Sequence, residues 1–471
     1  MDRADFFYRE FIRHFGYEPT PGQDNLFRAT GEFLTSDDGD ILVVNGYAGT
    51  GKTSAVAAVI GALRELQVPS VLLAPTGRAA KVLASFAGVP AQTIHKAIYR
   101  QKSVASDGFG EFSLSPNKLK STLFVVDEAS LIGIDSGESR SQGFFGTGNL
   151  LEDLISYVRN GTDCRLILMG DDAQLPPVGM DESPALSRSY MEGFGGVRFV
   201  SLTDVVRQAE SSGILMNATA LRSKLDAGTL RLRLDGYPDI ERIGGEQLTD
   251  KIAQAYEEYG EDDTIILCRS NKRAIRYNLG IRSTVQFKEE RLLRGDNLMI
   301  VKNCYQFLGE DSKMGYIANG DTAVLQRIRG FEERYGLHFA EATLRFPDYD
   351  DEIVTAKVCL DTLESESASL TYEQQNALYQ GVNEDYSDFA SKKKRYEAVR
   401  EDPFYNALQL KYAQAVTCHK AQGGQWSCVF IDCPFWQPEQ TPDDLKWLYT
   451  ALTRAVQKVY LVNFPDRFFE K

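Results

Sequence analysis

Long apolar runs are missing from this sequence. The widest gap between charged side chains, from Lys81 to Lys96, is 14 residues long and is broken by Gly88 and Pro90. A bilayer-spanning helix needs about 20 apolar residues, so none is expected. The opening MDRADFFYREFIRHFGY has no unbroken apolar core of the kind a secretory leader carries, and a cytoplasmic protein without a membrane partner is the expectation. The seven cysteines are odd in number and form no C-x-x-C pair, which excludes a disulfide framework and points to reduced, mostly buried thiols. Histidine is scarce: there are four, and none stands beside cysteines at zinc spacing, so any metal should be held through oxygen. Positive charge is also lacking. A net charge of −14 argues at first against a nucleic-acid partner. Much of that excess, however, lies in residues 346–391, where eleven acidic side chains face Lys357 alone, while residues 96–120 carry five basic against two acidic groups. Screening limits attraction to phosphates to roughly 8 Å at physiological salt, so a local groove outweighs the total.

What is present reads as globular. The 471 residues, 43% hydrophobic and 25% charged, amount to roughly three domain-sized units without internal repeats or low-complexity segments. Strand-like apolar runs at 41–44, 71–74, 123–126, 165–169 and 198–202 alternate with helical patterns, notably 53–66 and 150–158. That alternation implies an α/β fold with a parallel sheet covered on both faces. A second set follows at 264–267, 413–416, 428–431 and 459–462, interrupted from about Arg294 by short alternating strands and an Asn319-Gly320 turn that fit a small β-barrel. From 369 to 408 the chain is polar and helix-prone, and Lys392, Lys393, Lys394 and Arg395 read as a solvated face.

The strongest chemical pattern is Gly46-Tyr47-Ala48-Gly49-Thr50-Gly51-Lys52-Thr53, set between a predicted strand and a predicted helix. Glycines at 46, 49 and 51 let backbone amides turn toward phosphate oxygens, the helix N-terminus adds positive potential, Lys52 neutralises the terminal phosphates and Thr53 is placed to ligate Mg²⁺. Downstream, the run 123–126 ends in Asp127 and Glu128, acidic residues at the carboxyl end of a strand, where ligands of open parallel sheets lie. Asp127 suits Mg²⁺ and Glu128 a base for water, so the two motifs together imply a nucleoside triphosphatase that uses Mg²⁺.

Six further segments, in chain order, carry a family resemblance. They are Ala74 to Ala80 (APTGRAA), Thr93-Ile94-His95, Gly170 to Val178 (GDDAQLPPV), Val206-Arg207-Gln208, Thr417 to Gly423 (TCHKAQG) and Tyr449 to Ala455 (YTALTRA). They resemble motifs Ia, Ib, III, IV, V and VI of superfamily 1B DNA helicases of the RecD, Dda and PIF-type group. The resemblance implies two RecA-like parallel-sheet lobes, a small β-hairpin wedge insertion and an SH3-like β-barrel insertion. On that plan, residues 1–200 form lobe 1A with N-terminal helices, 96–120 the wedge 1B, 201–293 and 411–471 lobe 2A, and 294–410 domain 2B with the acidic helical insertion. Gln174 would sense the γ-phosphate, with Arg207 and Arg454 as arginine fingers and Gln23 as reader of adenine. Ala48, Thr50 and Gly423 would complete the nucleotide site, and the resemblance implies ATP as its nucleotide. Thr76, Arg78, Thr93, His95, Thr417, His419 and Lys420 would hold single-stranded DNA. Asp107-Gly108 marks a hairpin turn, near which Phe109 and Phe112 would stack on the first base pair of a junction. The activity implied is ATP-dependent 5′–3′ translocation on single-stranded DNA by a monomer, with duplex unwinding. The alternative is a translocase or recombination-complex subunit that unwinds little on its own.

Overall fold

The computed structural model describes residues 2–104, 110–134, 144–206, 212–224, 231–309, 312, 314, 316–389, 391–435, 437 and 439–470. Six parallel strands form the first sheet, in the spatial order Ala91–Thr93, Ser70–Ala74, Leu123–Val126, Arg165–Gly170, Ile41–Gly46 and Val197–Leu202. Alternation along one strand shows why it is covered twice. Leu42 and Val44 pack with the helices Arg3–Phe15, Pro21–Thr35 and Lys52–Glu65, while Ile41 and Val43 face the other way toward Leu150–Arg159.

The second sheet is also parallel and runs Ile240–Ile243, Ala455–Val462, Trp426–Asp432, Thr264–Cys268, Ala415–Thr417. Ile265 and Leu267 enter one core and Ile266 and Cys268 the other. Between its strands the chain leaves to build a closed five-stranded barrel from Asn297–Ile300, Thr322–Arg334, Leu337–Phe346, Glu352–Cys359 and Leu408–Tyr412. The polar stretch expected to be helical forms two helices, Tyr372–Asp385 and Lys392–Glu401, and Lys392, Lys393 and Lys394 are exposed. An antiparallel pair, Tyr99–Val104 with Gly110–Leu114, leaves the first lobe and is joined by Phe144–Phe145. Its turn at Asp107-Gly108, together with Phe109, lies outside the described residues. All seven cysteines are free and six are buried, as their spacing predicts. No helix among the described residues is long and apolar enough to cross a membrane.

Candidate nucleotide site and adjoining groove

Strand order brings three carboxyl ends side by side, because Arg165–Gly170 lies between Leu123–Val126 and Ile41–Gly46. Ligands of open parallel sheets gather at such ends. The phosphate loop leaves Gly46 and enters the helix at Lys52. Gly49 and Gly51 hold φ of +77° and +70°, a left-handed conformation that side chains with a Cβ rarely adopt. Lys52 Nζ stands 3.9 Å from Asp127 Oδ1, and both side chains are nearly buried. Burial pushes the Asp127 carboxyl above its ordinary range, against the opposing pull of Lys52.

Glu128 follows at φ +53°, a strained backbone conformation for a residue with a side chain, and its amide donates to Asp127 Oδ1 at 2.9 Å. Its Oε1 lies 3.9 Å from an Arg454 guanidinium nitrogen, and its Oε2 is buried with no hydrogen-bond partner among the described residues. Gln174 Oε1 is likewise buried and unpartnered among the described residues. Orphaned buried acceptors are costly, and two beside a phosphate loop mark a place for donors that a ligand supplies.

Arg454 comes from the second lobe. It is 3% exposed and donates to the carbonyls of Thr450 and Gly424. Arg207 lies outside the described residues. The amide of Gln23 is already engaged: Nε2 donates to Thr50 O at 2.9 Å, and Oε1 accepts from Thr20 N in a capping box. Gln23 therefore braces the phosphate loop from behind at 2% exposure. A Cβ on Gly423 would meet Ala79 and Thr76, which places that glycine at the seam between lobes.

Motif spelling alone gave no role to two residues that the fold puts at the centre. Asp171, at the end of Arg165–Gly170, is 1% exposed, and burial lifts its carboxyl to about 6. Tyr449, on the helix Pro442–Leu452, donates to Asp171 Oδ2 at 2.6 Å and accepts from Ala48 N at 3.0 Å. One residue on, Thr450 Oγ1 accepts from Leu175 N at 2.8 Å, while Gln422 Nε2 donates to Leu175 O at 2.7 Å. Both residues stand inside quoted motifs, and that position was the available signal.

Beside this cleft runs a groove of about 2000 Å³ lined by both lobes and the barrel. Thr76, Arg78, Thr93, His95, Thr417, His419 and Lys420 all line it. Thr76 and Thr93 each cap a helix, accepting from Ala79 N and Lys96 N. Arg78 reaches across the seam and lies 4.0 Å over the Trp426 ring. Desolvation lowers His95 to about 4, so its imidazole is neutral at physiological pH. Burial also lowers Lys420 to about 8. Tyr349 meets Gly77 and donates to Asp321, and Lys81 Nζ donates to Pro347 O at 2.7 Å, so the barrel closes one side against the first lobe. Phe112 makes an aromatic contact outside the first lobe. It lies within Gly110–Leu114 with its ring 5.0 Å from Tyr305 of the barrel segment, which seats this strand against the barrel.

Two RecA-like sheets facing each other over a phosphate loop define a two-lobed P-loop protein. Residues 20–244 match the AAA domain family, and residues 412–462 the UvrD-like helicase C-terminal domain. The chain is similar to the ATP-dependent RecD2 DNA helicase of Deinococcus radiodurans, at 26% identity over 431 residues, 91% of this chain and 46% of that protein. It is also similar to the ATP-dependent DNA helicase dda of Enterobacteria phage T4, at 23% identity over 94% of this chain and 99% of that one. The chain thus spans just under half the length of the RecD2 relative and nearly all of the phage protein. A Pif1 helicase from Bacteroides, solved with ADP-AlF3 and ssDNA, aligns over 97% of this chain and 95% of its own at 15% identity and a TM-score of 0.48. In these two matched regions and along most of its length the chain is similar to helicases of the RecD and Dda kind, as its motifs lead one to expect.

Proposed function

We propose that this protein is an ATP-dependent DNA helicase that moves 5′ to 3′ along single-stranded DNA and opens duplex at a junction. The observation that carries this reading is the shared wall between cleft and groove. The segment bearing Thr417, His419 and Lys420 continues into Gln422, which holds Leu175, and Arg454 from the same lobe faces Glu128. A change at the phosphates is thereby tied to groove-lining residues. Lys52 and the loop amides bind the phosphates, Thr53 and Asp127 hold Mg²⁺, Glu128 takes the proton of the attacking water, and Gln174 and Arg454 meet charge on the γ-phosphoryl group. Bound Mg²⁺ supplies charge neutralisation at the phosphate oxygens. Polarity and unwinding rest on the family resemblance. The test compares ATPase rate with and without single-stranded DNA, then strand displacement on duplexes tailed at the 5′ or the 3′ end. ATPase indifferent to DNA, or displacement only from 3′ tails, overturns the reading.

Two predictions arise here. Lys420 is charged below pH 8 and neutral above it, so its attraction to phosphates is present below that pH and lost as pH rises through it. Oligo(dT) affinity should fall between pH 7 and 9 in the wild type and fall less in Lys420→Arg, whose guanidinium stays charged. Fluorescence anisotropy titrations check this. Phe112→Ala should cut unwinding of a forked duplex by about tenfold through loss of its ring contact with Tyr305, while DNA-stimulated ATPase changes little. Proportional loss of both activities would place Phe112 in lobe support instead.

A further inference from the structure

We infer that Tyr449 is a positioning residue that reports the state of the phosphate loop to the second lobe, an inference that rests on the ATP-driven reading above. Its ring packs among Tyr47, Ala48, Ala173 and Ala218, so it touches the phosphate loop, the segment after Arg165–Gly170 and a helix of the second lobe. The hydroxyl performs two tasks at once: it accepts from the Ala48 amide of the loop and donates to Asp171. Tyr449 is 1% exposed and Asp171 is 1% exposed, so water cannot replace either bond if the hydroxyl is removed.

The helix that carries Tyr449 makes other contacts with the first lobe. Thr450 accepts from Leu175 N, and Arg454 just beyond the helix faces Glu128 Oε1. Arg222 of the second lobe lies 4.0 Å over the Tyr47 ring, so the loop is gripped from that lobe at two consecutive residues, Tyr47 and Ala48. A shift of the Ala48 amide is therefore passed to the Pro442–Leu452 helix through a single hydroxyl. From there it reaches Leu175, which Gln422 also holds, and so the segment that lines the groove. Tyr449 touches neither water nor the transferred group in this scheme. It sets where Thr450 and Arg454 stand when the loop moves.

The experiment uses the full chain and Tyr449→Phe, which keeps the ring and removes the hydroxyl. Affinity for a labelled oligo(dT) is measured with and without a non-hydrolysable ATP analogue and Mg²⁺, and kcat and KM for ATP are measured at saturating oligo(dT). The variant should bring the analogue's effect on oligo(dT) affinity at least about threefold closer to none and lower kcat about tenfold, with KM within about twofold of wild type. Asp171→Ala, which removes the acceptor, keeps the inference testable should Tyr449→Phe fold poorly, and it should show the same loss of coupling. The double variant should be no worse than the poorer single one, since both break one path. Unchanged coupling in Tyr449→Phe, a loss confined to KM, or additive losses in the double variant overturn the inference. A wild type whose ATPase ignores oligo(dT) and whose oligo(dT) affinity ignores the analogue overturns the helicase reading, and this inference with it.

Discussion

Lys52→Ala should lower ATP turnover by about three orders of magnitude while leaving oligo(dT) binding in nucleotide-free buffer within about threefold of wild type. Lys52 is the cation of the phosphate loop, nearly buried and 3.9 Å from Asp127 Oδ1. Alanine leaves the amide cradle but removes the charge that balances the terminal phosphates. It also removes the group that opposes desolvation at Asp127 and Asp171, so both carboxyls should rise further. The groove is lined by other residues, Thr76, Thr93, Thr417 and Lys420 among them. Steady-state ATPase and anisotropy on the same folded preparation separate the two. Parallel loss of turnover and binding in a protein with native melting behaviour would show that cleft and groove are not separable in this way.

Glu128→Gln should bind both the ATP analogue and oligo(dT), yet hydrolyse about 10² to 10⁴ times more slowly, the range general-base catalysis contributes. Glutamine matches the shape of glutamate and accepts hydrogen bonds but cannot take a proton near neutral pH. The Asp127 carboxylate and the Glu128 amide that donates to it are untouched, so metal and phosphate binding should persist. Arg454 would lose its charge partner at 3.9 Å, which should tighten its hold on an added γ-phosphate and lengthen the bound state. The expected result is a stalled complex whose oligo(dT) release slows when ATP is present. Turnover equal to wild type would take Glu128 out of the proton transfer.

Much of this site was legible in the linear order of residues, and the reason is local. A phosphate loop is contiguous, two of its glycines, Gly49 and Gly51, sit at positions that adopt positive φ, and the flanking strand and helix announce themselves by period. The same holds for Asp127 and Glu128, which directly follow a short apolar strand. The lobes' strands stood out because fully buried parallel strands are near-continuous apolar runs. Gln23 shows where local reading falls short. Its position at a helix start is plain in the sequence, but that its amide turns inward to Thr50 O depends on how that helix packs against the loop.

Phe112 and Tyr449 mark the same boundary from the other side. An aromatic beside a predicted turn gives no indication that its ring will meet Tyr305, almost two hundred positions away. Nor does the spelling of the segment around Tyr449 tell that its hydroxyl joins Ala48 to Asp171. Sequence by itself determined the α/β class, the phosphate loop, the acidic pair and the order of motifs, because each depends on neighbours along the chain and on backbone preference. The tertiary structure alone decided that Asp171, Gln174, Tyr449 and Arg454 converge on one cleft, and that the barrel seats the hairpin and closes one side of the groove. Those outcomes depend on strand order within the sheets and on the docking of two lobes and a barrel. Such contacts join residues far apart in the chain, and no local preference or period encodes them.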